Sequence, residues 1–196
     1  MNPIFLKGVD YTKNFLIGYQ PSDIFISSSL NHESVLALSI LEEAGFLVDV
    51  YCVDTGLIEG DLYSNYNLVK NRFNHNITII DAKEKKNELL KGKDFLSLDE
   101  AERSSICKVL KRDTLFDHIK NKNYKIWISA IRKVETKSRM NMKAISISNG
   151  LIKFSPIFNF SNIEVYYIMR SYSLGFLEEV TDKCKISDMN ECGLHL

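Results

Sequence analysis

The stretch DIFISSSLNHESVLALSILEEAGFLVDVYCVDTG, residues 23–56, decides the fold. Asp23-Ile24-Phe25-Ile26 is a short apolar run of the kind buried in a sheet covered on both faces. Ser27-Ser28-Ser29-Leu30-Asn31 interrupts it. From about His32 to Ala44, the residues Val35, Leu36, Leu38, Ile40 and Leu41 give a helical pattern, and Gly45 stops it. Phe46 to Val53 is again apolar and β-branched, and Asp54-Thr55-Gly56 ends it. Strand, helix and strand in succession argue for a parallel sheet.

The rest of the chain repeats this alternation. Asp61 to Phe73 has helical spacing, and Ile77 to Ile80 reads as a third strand. Lys83 to Ser105 is polar and reads as partly loop, while Lys108 to Lys120 looks helical. Lys125 to Ile131 is a fourth strand. Ile145 to Ile147 and Leu151 to Phe154 flank Asn149-Gly150, a dipeptide suited to a hairpin turn. Ser161 and Glu164 form a capping box for a helix ending near Tyr172. The expectation is an α/β chain: one domain over 1–196, a mostly parallel sheet with helices on both faces, and a short tail over 174–196.

Composition narrows the class. Hydrophobic residues make up 45% and charged residues 26%, ordinary globular values. Lys+Arg and Asp+Glu are both 25, so no global charge points to nucleic acid or a membrane surface. The first twenty residues lack a long apolar run and a cleavage site, so they do not read as a signal peptide. No apolar stretch is long enough to span a bilayer. Cys52, Cys107, Cys184 and Cys192 are scattered and do not form a secreted disulfide framework. The expected compartment is the cytoplasm, where thiols stay reduced.

In an open parallel sheet, ligands bind beyond the carboxyl ends of the strands, and the polar motifs fall there. Ser27, Ser28 and Ser29 lie between a strand and a helix N-terminus, where free N–H groups favour an anion; a plain N-cap is the competing reading. No Gly-Lys-Ser/Thr follows, so this is not a Walker A loop. Asp54, Thr55 and Gly56 suit either a ribose contact or a helix cap. Arg132 to Arg139 carries four cations, Arg132, Lys133, Lys137 and Arg139. That pattern suits a polyanion because arginine forks bind phosphate and sulfate bidentately; a solvated charge run is the alternative. Finally, Glu191-Cys192-Gly193-Leu194-His195-Leu196 puts a cysteine between a carboxylate and an imidazole in a tail able to swing into a cleft.

These motifs, in this order, resemble the phosphoadenylyl-sulfate (PAPS) and adenylyl-sulfate (APS) reductases. The ending resembles the family's Glu-Cys-Gly-Leu-His signature. The serine run resembles its PP-loop, Asp54-Thr55-Gly56 its Asp-Thr-Gly stretch, and Ile131 to Arg139 its arginine-rich loop, with Arg132, Ser138 and Arg139 kept and Lys133 replacing arginine. Lys111 matches a family lysine. The resemblance implies the adenine nucleotide alpha hydrolase-like (PP-loop) fold and thiol-dependent reduction of PAPS to sulfite. Cys192 is the implied nucleophile. Ser27, Ser28, Ser29, Asp54, Thr55, Gly56, Lys111, Arg132, Lys133, Ser138 and Arg139 are the implied substrate contacts. Glu191, Gly193 and His195 are the implied tail anchors. Reduced thioredoxin or glutaredoxin is the implied electron donor, with no bound cofactor or metal and no nucleic acid or membrane partner. A homodimer is left open.

The chain also departs from the family. Glu59-Gly60-Asp61 lacks the usual proline, Val134-Glu135 replaces Glu-Gln, and the tail is short. In the APS-reducing branch, paired cysteines hold a [4Fe–4S] cluster that needs four thiolates. Here Ile106 stands for the first of one pair. Cys107 then reads as a small helix hydrophobe, and PAPS is the expected substrate. Lys108, Arg112, Lys137 and Lys143 are spare cations for its 3′-phosphate. An APS reductase, an ATP-using adenylating relative and a shortened non-catalytic nucleotide binder are the alternatives.

Overall fold

The computed structural model describes residues 2–175, 177–178 and 180–184. The strands are β1 (Ile24–Ser27), β2 (Asp49–Asp54), β3 (Ile58–Glu59), β4 (Asn76–Asp81), β5 (Ile126–Ser129), β6 (Ile145–Ser148), β7 (Leu151–Phe154) and β8 (Thr181–Asp182). The helices are α1 (Pro3–Leu16), α2 (His32–Glu43), α3 (Leu62–Arg72), α4 (Lys83–Leu90), α5 (Glu100–Lys108), α6 (Thr114–Ile119) and α7 (Asn162–Ser171). Six strands form one sheet in the order β4-β2-β1-β5-β7-β6. Its pairings are parallel except that of β6 with β7. The α/β class and the mostly parallel sheet are as the sequence pattern implies.

Strand alternation sorts the core onto two faces. Ile24, Ile26, Val50, Ile126 and Ile128 join the large cluster with Phe5 and Val9 of α1, Leu36 and Ile40 of α2, and Val165 and Ile168 of α7. Phe25, Tyr51 and Trp127 point the other way and pack with Leu115 and Ile119 of α6. Helices therefore cover both faces, which is why these strands read as continuous apolar runs.

Local signals set the element ends. Asn31 caps α2 by accepting from Ser34 N at 3.0 Å, and Gly45 leaves that helix at φ +89°. Asn149 and Gly150 both have positive φ, 51° and 76°, as a tight right-twisted hairpin requires. Ser161 and Glu164 form the expected capping box.

Three features differ from the sequence reading. Residues 83–105 are mostly two short helices, α4 and α5, with a 3₁₀ turn over Phe95–Ser97 between them. An Asp99–Glu102 capping box starts α5, but so little of either helix is buried that no apolar stripe marks them. Helix α1 has no counterpart in the sequence pattern, although Asn2 caps it and Pro3 occupies its first turn. The third difference is Cys107, which is no isolated hydrophobe but is disulfide-bonded to Cys184, with Cα atoms 5.8 Å apart. This bond staples the residues after β8 to the end of α5. Strand β8 pairs antiparallel with β3 in a separate two-stranded sheet.

Candidate functional site

The order of strands places the site. From β1 the chain moves outward through β2 to β4, then crosses to the other side of β1 for β5. The crevice at that reversal opens above Ser27 and Ser129, which are register partners at the carboxyl ends of β1 and β5. A cavity of about 90 Å³ lies there. Ser27, Ser28, Ser29, Lys111, Arg139 and Asp182 all line it.

The serine loop is held in a tense form. Leu30 is fully buried yet sits at φ +52°, a left-handed conformation that a bulky residue rarely adopts. Ser28 Oγ accepts from Leu30 N at 3.0 Å, and Ser34 Oγ accepts from Ser29 N at 3.3 Å. Serine oxygens thus satisfy backbone donors at the N-terminus of α2 that an anionic oxygen could otherwise take. Trp127 Nε1 donates to Ser27 Oγ at 2.8 Å and fixes that hydroxyl from below.

Lys111 reaches the cavity because the helix is irregular. Val109–Asp113 forms a π-helical turn between α5 and α6, and the extra residue rotates Lys111 inward. Its ammonium is buried and pairs with Asp182 of β8. Arg139 lies in the Ser138–Asn141 3₁₀ turn, is buried, and pairs with Glu135, which also lines the cavity. The two cations inside the cavity therefore already face carboxylates.

The other residues singled out from sequence lie around this centre. Arg132 is buried but turned away, bonded to Glu33 Oε1 at 3.1 Å and Asn162 Oδ1 at 2.8 Å, in the wall of a different cavity between α2 and α7. Lys133 is exposed. Thr136 and Ser138 share a hydroxyl contact at 3.0 Å. Asp54 is buried and caps its own turn, accepting from Gly56 N at 3.0 Å, Tyr63 at 3.1 Å and Lys83 at 2.8 Å. Burial works to raise the Asp54 carboxyl, but these donors outweigh it and hold it below the usual carboxylate range. Thr55 Oγ1 accepts from Leu57 N at 3.2 Å. Asp54, Thr55 and Gly56 therefore shape the turn leading to β3, beside the cavity wall. Cys192, Glu191, Gly193 and His195 lie outside the described residues.

Sequence reasoning missed Glu135 as an internal counter-charge and missed Asp182 altogether. It also missed an adjoining cavity of about 560 Å³, whose lining includes Ser129, Lys143, Ser146 and Lys153. Lys153 is buried on β7 with its ammonium 4.6 Å from the centroid of the Trp127 ring. Ser129 Oγ is buried and makes no hydrogen bond among the described residues.

Cys52 lines the first cavity, but burial, reinforced by Asp54, pushes its thiol up to about 12. It is therefore a neutral thiol at ordinary pH, unsuited to nucleophilic attack. Cys107 and Cys184 are bonded to each other, and Cys52 packs in a separate apolar cluster. Among the described residues, two cysteine sulfurs meet rather than the four a [4Fe–4S] cluster requires, so this arrangement does not fit one.

Known proteins agree with this architecture. The chain is 25% identical over 154 residues to a phosphoadenosine 5′-phosphosulfate reductase of Vibrio campbellii, covering 77% of this chain and 59% of the relative. It spans about 60% of the length of the first curated relatives it matches. A phosphate complex of the PAPS reductase of Candida auris shares the fold at TM-score 0.63 and 16% identity, covering 89% of this chain and 94% of that one. The NH3-dependent NAD synthetase of Campylobacter jejuni aligns at TM-score 0.63 and 16% identity, covering 89% and 75%. Both likenesses speak to fold alone. The model of the phosphoadenosine phosphosulfate reductase domain matches residues 23–175, from the start of β1 to beyond α7, and so includes the serine loop, Lys111 and the arginine loop that build the cavity. The chain is therefore a member of the phosphoadenosine phosphosulfate reductase domain family.

Proposed function

We propose that the protein reduces PAPS to sulfite and adenosine 3′,5′-bisphosphate. The carrying observation is the convergence of the serine loop, Lys111 and Arg139 on one cavity at the strand reversal, in a chain of this family. The serine hydroxyls, the amides of the loop, Lys111 and Arg139 hold the phosphosulfate oxygens. Charge that grows on the departing phosphate in the transition state is met by these fixed cations.

Cys192 Sγ, as thiolate, attacks the sulfonate sulfur. The bond from that sulfur to the bridging phosphate oxygen breaks, and adenosine 3′,5′-bisphosphate leaves. A thiolate of reduced thioredoxin or glutaredoxin then attacks Cys192 Sγ and expels sulfite. The resulting mixed disulfide is resolved by the donor's second thiol. The 3′-phosphate occupies the adjoining cavity, whose lining includes Lys143, Lys153 and Ser129. This assignment moves the specificity cations away from Lys108, Arg112 and Lys137. Glu191, Gly193 and His195 position the tail, and the domain extends over 1–196.

The test is Cys192→Ser. It should abolish sulfite release while leaving binding of adenosine 3′,5′-bisphosphate intact, because the nucleophile goes and the cavity stays. Substantial turnover by Cys192→Ser would sink the mechanism. Assays with both nucleotides should favour PAPS over APS, and Lys153→Gln should narrow that preference.

A further inference from the structure

The cavity that would hold the nucleotide is small and is lined by the protein's own acids, Asp182 and Glu135. At about 90 Å³, it is well below the roughly 300–1,000 Å³ of sites that enclose small ligands. Asp182 lies against Lys111, with both side chains largely buried. Asp182 opposes an anionic substrate at the Lys111 ammonium: its carboxylate repels the incoming charge and takes one of the ammonium's three donors.

Asp182 is held there by a few short non-covalent contacts, among them Cys184 N donating to its Oδ1 at 3.0 Å, and by one covalent bond. Strand β8 is only two residues long and pairs with the equally short β3, far below the size at which a two-stranded sheet persists unaided. Lys183 N donates to Leu57 O at 3.0 Å, and Lys183 Nζ meets Glu59 at 2.8 Å on the surface. Upstream, the Asn65 side-chain amide accepts from Glu178 N at 2.8 Å and donates to Glu178 O at 2.9 Å. Two residues after Asp182, Cys184 is bonded to Cys107 at the end of α5, immediately before the π-helical turn that carries Lys111. The disulfide therefore joins the segment bearing the acid to the segment bearing the cation. Both cysteines sit in a small apolar cluster with Leu57, Leu110 and Phe95, apart from the main core. Opening this corner would leave the six-stranded sheet in place.

We propose that the Cys107–Cys184 disulfide is a redox-operated clasp that holds Asp182 on Lys111 and keeps the anion cavity closed until a dithiol reduces it. This rests on the reading of the cavity as the phosphosulfate site. In the exchange, one thiolate of the dithiol attacks one sulfur of the pair and the Cys107–Cys184 bond breaks. The dithiol's second thiol then resolves the mixed disulfide. Two electrons and two protons end on Cys107 and Cys184, and the dithiol becomes a cyclic or protein disulfide. Residues 180–184 then lose their covalent anchor, Asp182 leaves Lys111, and the carboxylate no longer competes with substrate for that ammonium. The same class of dithiol that drives turnover would also unlock the site. Cys192 lies only eight residues beyond Cys184, so release of the clasp also lengthens the tether of the nucleophile.

The experiment uses the full chain in a Cys192→Ser background, which leaves the pair as the redox-active element, with the redox state of each sample verified by alkylation and mass. Two readouts are compared between oxidised and dithiothreitol-reduced protein. One is the rate at which a small acylating reagent labels Lys111. The other is the affinity for adenosine 3′,5′-bisphosphate by calorimetry. Reduction should raise Lys111 labelling at least fivefold and tighten the nucleotide at least tenfold. Asp182→Asn, which keeps the disulfide, should reproduce the tighter binding in oxidised protein and covers the case where Cys184→Ser folds poorly. Equal Lys111 labelling in the two redox states would overturn the clasp, whatever the nucleotide does. A labelling increase without nucleotide binding in any form would support the clasp and remove the nucleotide reading.

Discussion

At the amino ends of the central strands, Asp49 accepts from the Tyr124 hydroxyl and from Asn76 Nδ2 at 2.7 Å, and Tyr124 meets Tyr51 at 2.8 Å. Nearby, His75 Nδ1 accepts from Val48 N at 3.2 Å while its Nε2–H donates to Leu38 O at 3.1 Å. Each group finds a fixed partner. At the carboxyl ends the same sheet carries a left-handed Leu30, a buried Ser129 hydroxyl without a partner among the described residues, and cations neutralised by acids that sit in a cavity. Polar groups at one end are satisfied by structure. At the other they are satisfied by substitutes a ligand can displace, which is where departures from local consistency are expected.

Substitutions at the two ends should therefore separate stability from binding. The largest loss is expected for Trp127→Ala, which sits beneath both regions and is 1% exposed. It should cost about 3–5 kcal/mol in denaturant unfolding. Next is reduction of the Cys107–Cys184 bond, which closes a long loop with a sequence separation of 77. It should cost about 2–4 kcal/mol, and an unchanged midpoint on reduction would show that the staple contributes nothing.

Two arginines from one motif should behave oppositely. Arg139→Ala, inside the cavity, should weaken nucleotide binding by about 1–3 kcal/mol, the scale of lost charge-assisted bonds, with little change in stability. Arg132→Ala should lower stability by a similar amount, because Glu33 and Asn162 lose their buried partner, and should barely alter affinity. The reverse pattern would place the binding face on the wrong side of the loop.

Tyr124→Phe belongs to the amino end. It should cost about 1–2 kcal/mol of stability by removing one donor from Asp49 and the hydroxyl partner of Tyr51, and leave nucleotide affinity untouched. The smallest effect concerns pH. Burial pulls the His75 imidazole below its ordinary value, against the Leu38 carbonyl bond and the Glu42 charge that favour its charged form. A group with a depressed folded pKa gives stability that is present above its unfolded value of about 6.5 and lost as pH falls through the folded one. Unfolding midpoints should thus decline on acidification below about 6.5, and His75→Gln should flatten that slope.

Much of the fold was legible because its signals are local. Val35 to Leu41, the apolar strand runs, Asn149-Gly150 and the Ser161–Glu164 box each state their structure within a few residues. Helices α4 and α5 hid because they pack so few side chains inward that no stripe appears. Strands β3 and β8 are two residues each and far apart in the chain, so no periodicity could pair them, and the Cys107–Cys184 bond depends on that same long-range approach. The site was legible by residue type and less so by direction. Arg132 and Arg139 look alike in sequence, and only the turn at Ser138–Asn141 decides which one faces the cavity. Lys111 came from family resemblance, whereas Asp182, its counter-charge, carried no sequence signal.

The central claim is that this cavity delivers an activated sulfonate to Cys192. The direct measurement is intact-protein mass after reduced protein is mixed with PAPS in the absence of an electron donor, followed by peptide mapping. The account predicts one added sulfonate per chain, located on Cys192, removed by thioredoxin or glutaredoxin with release of sulfite and absent in Cys192→Ser. No adduct under conditions where adenosine 3′,5′-bisphosphate binds, or an adduct on another cysteine, would contradict it.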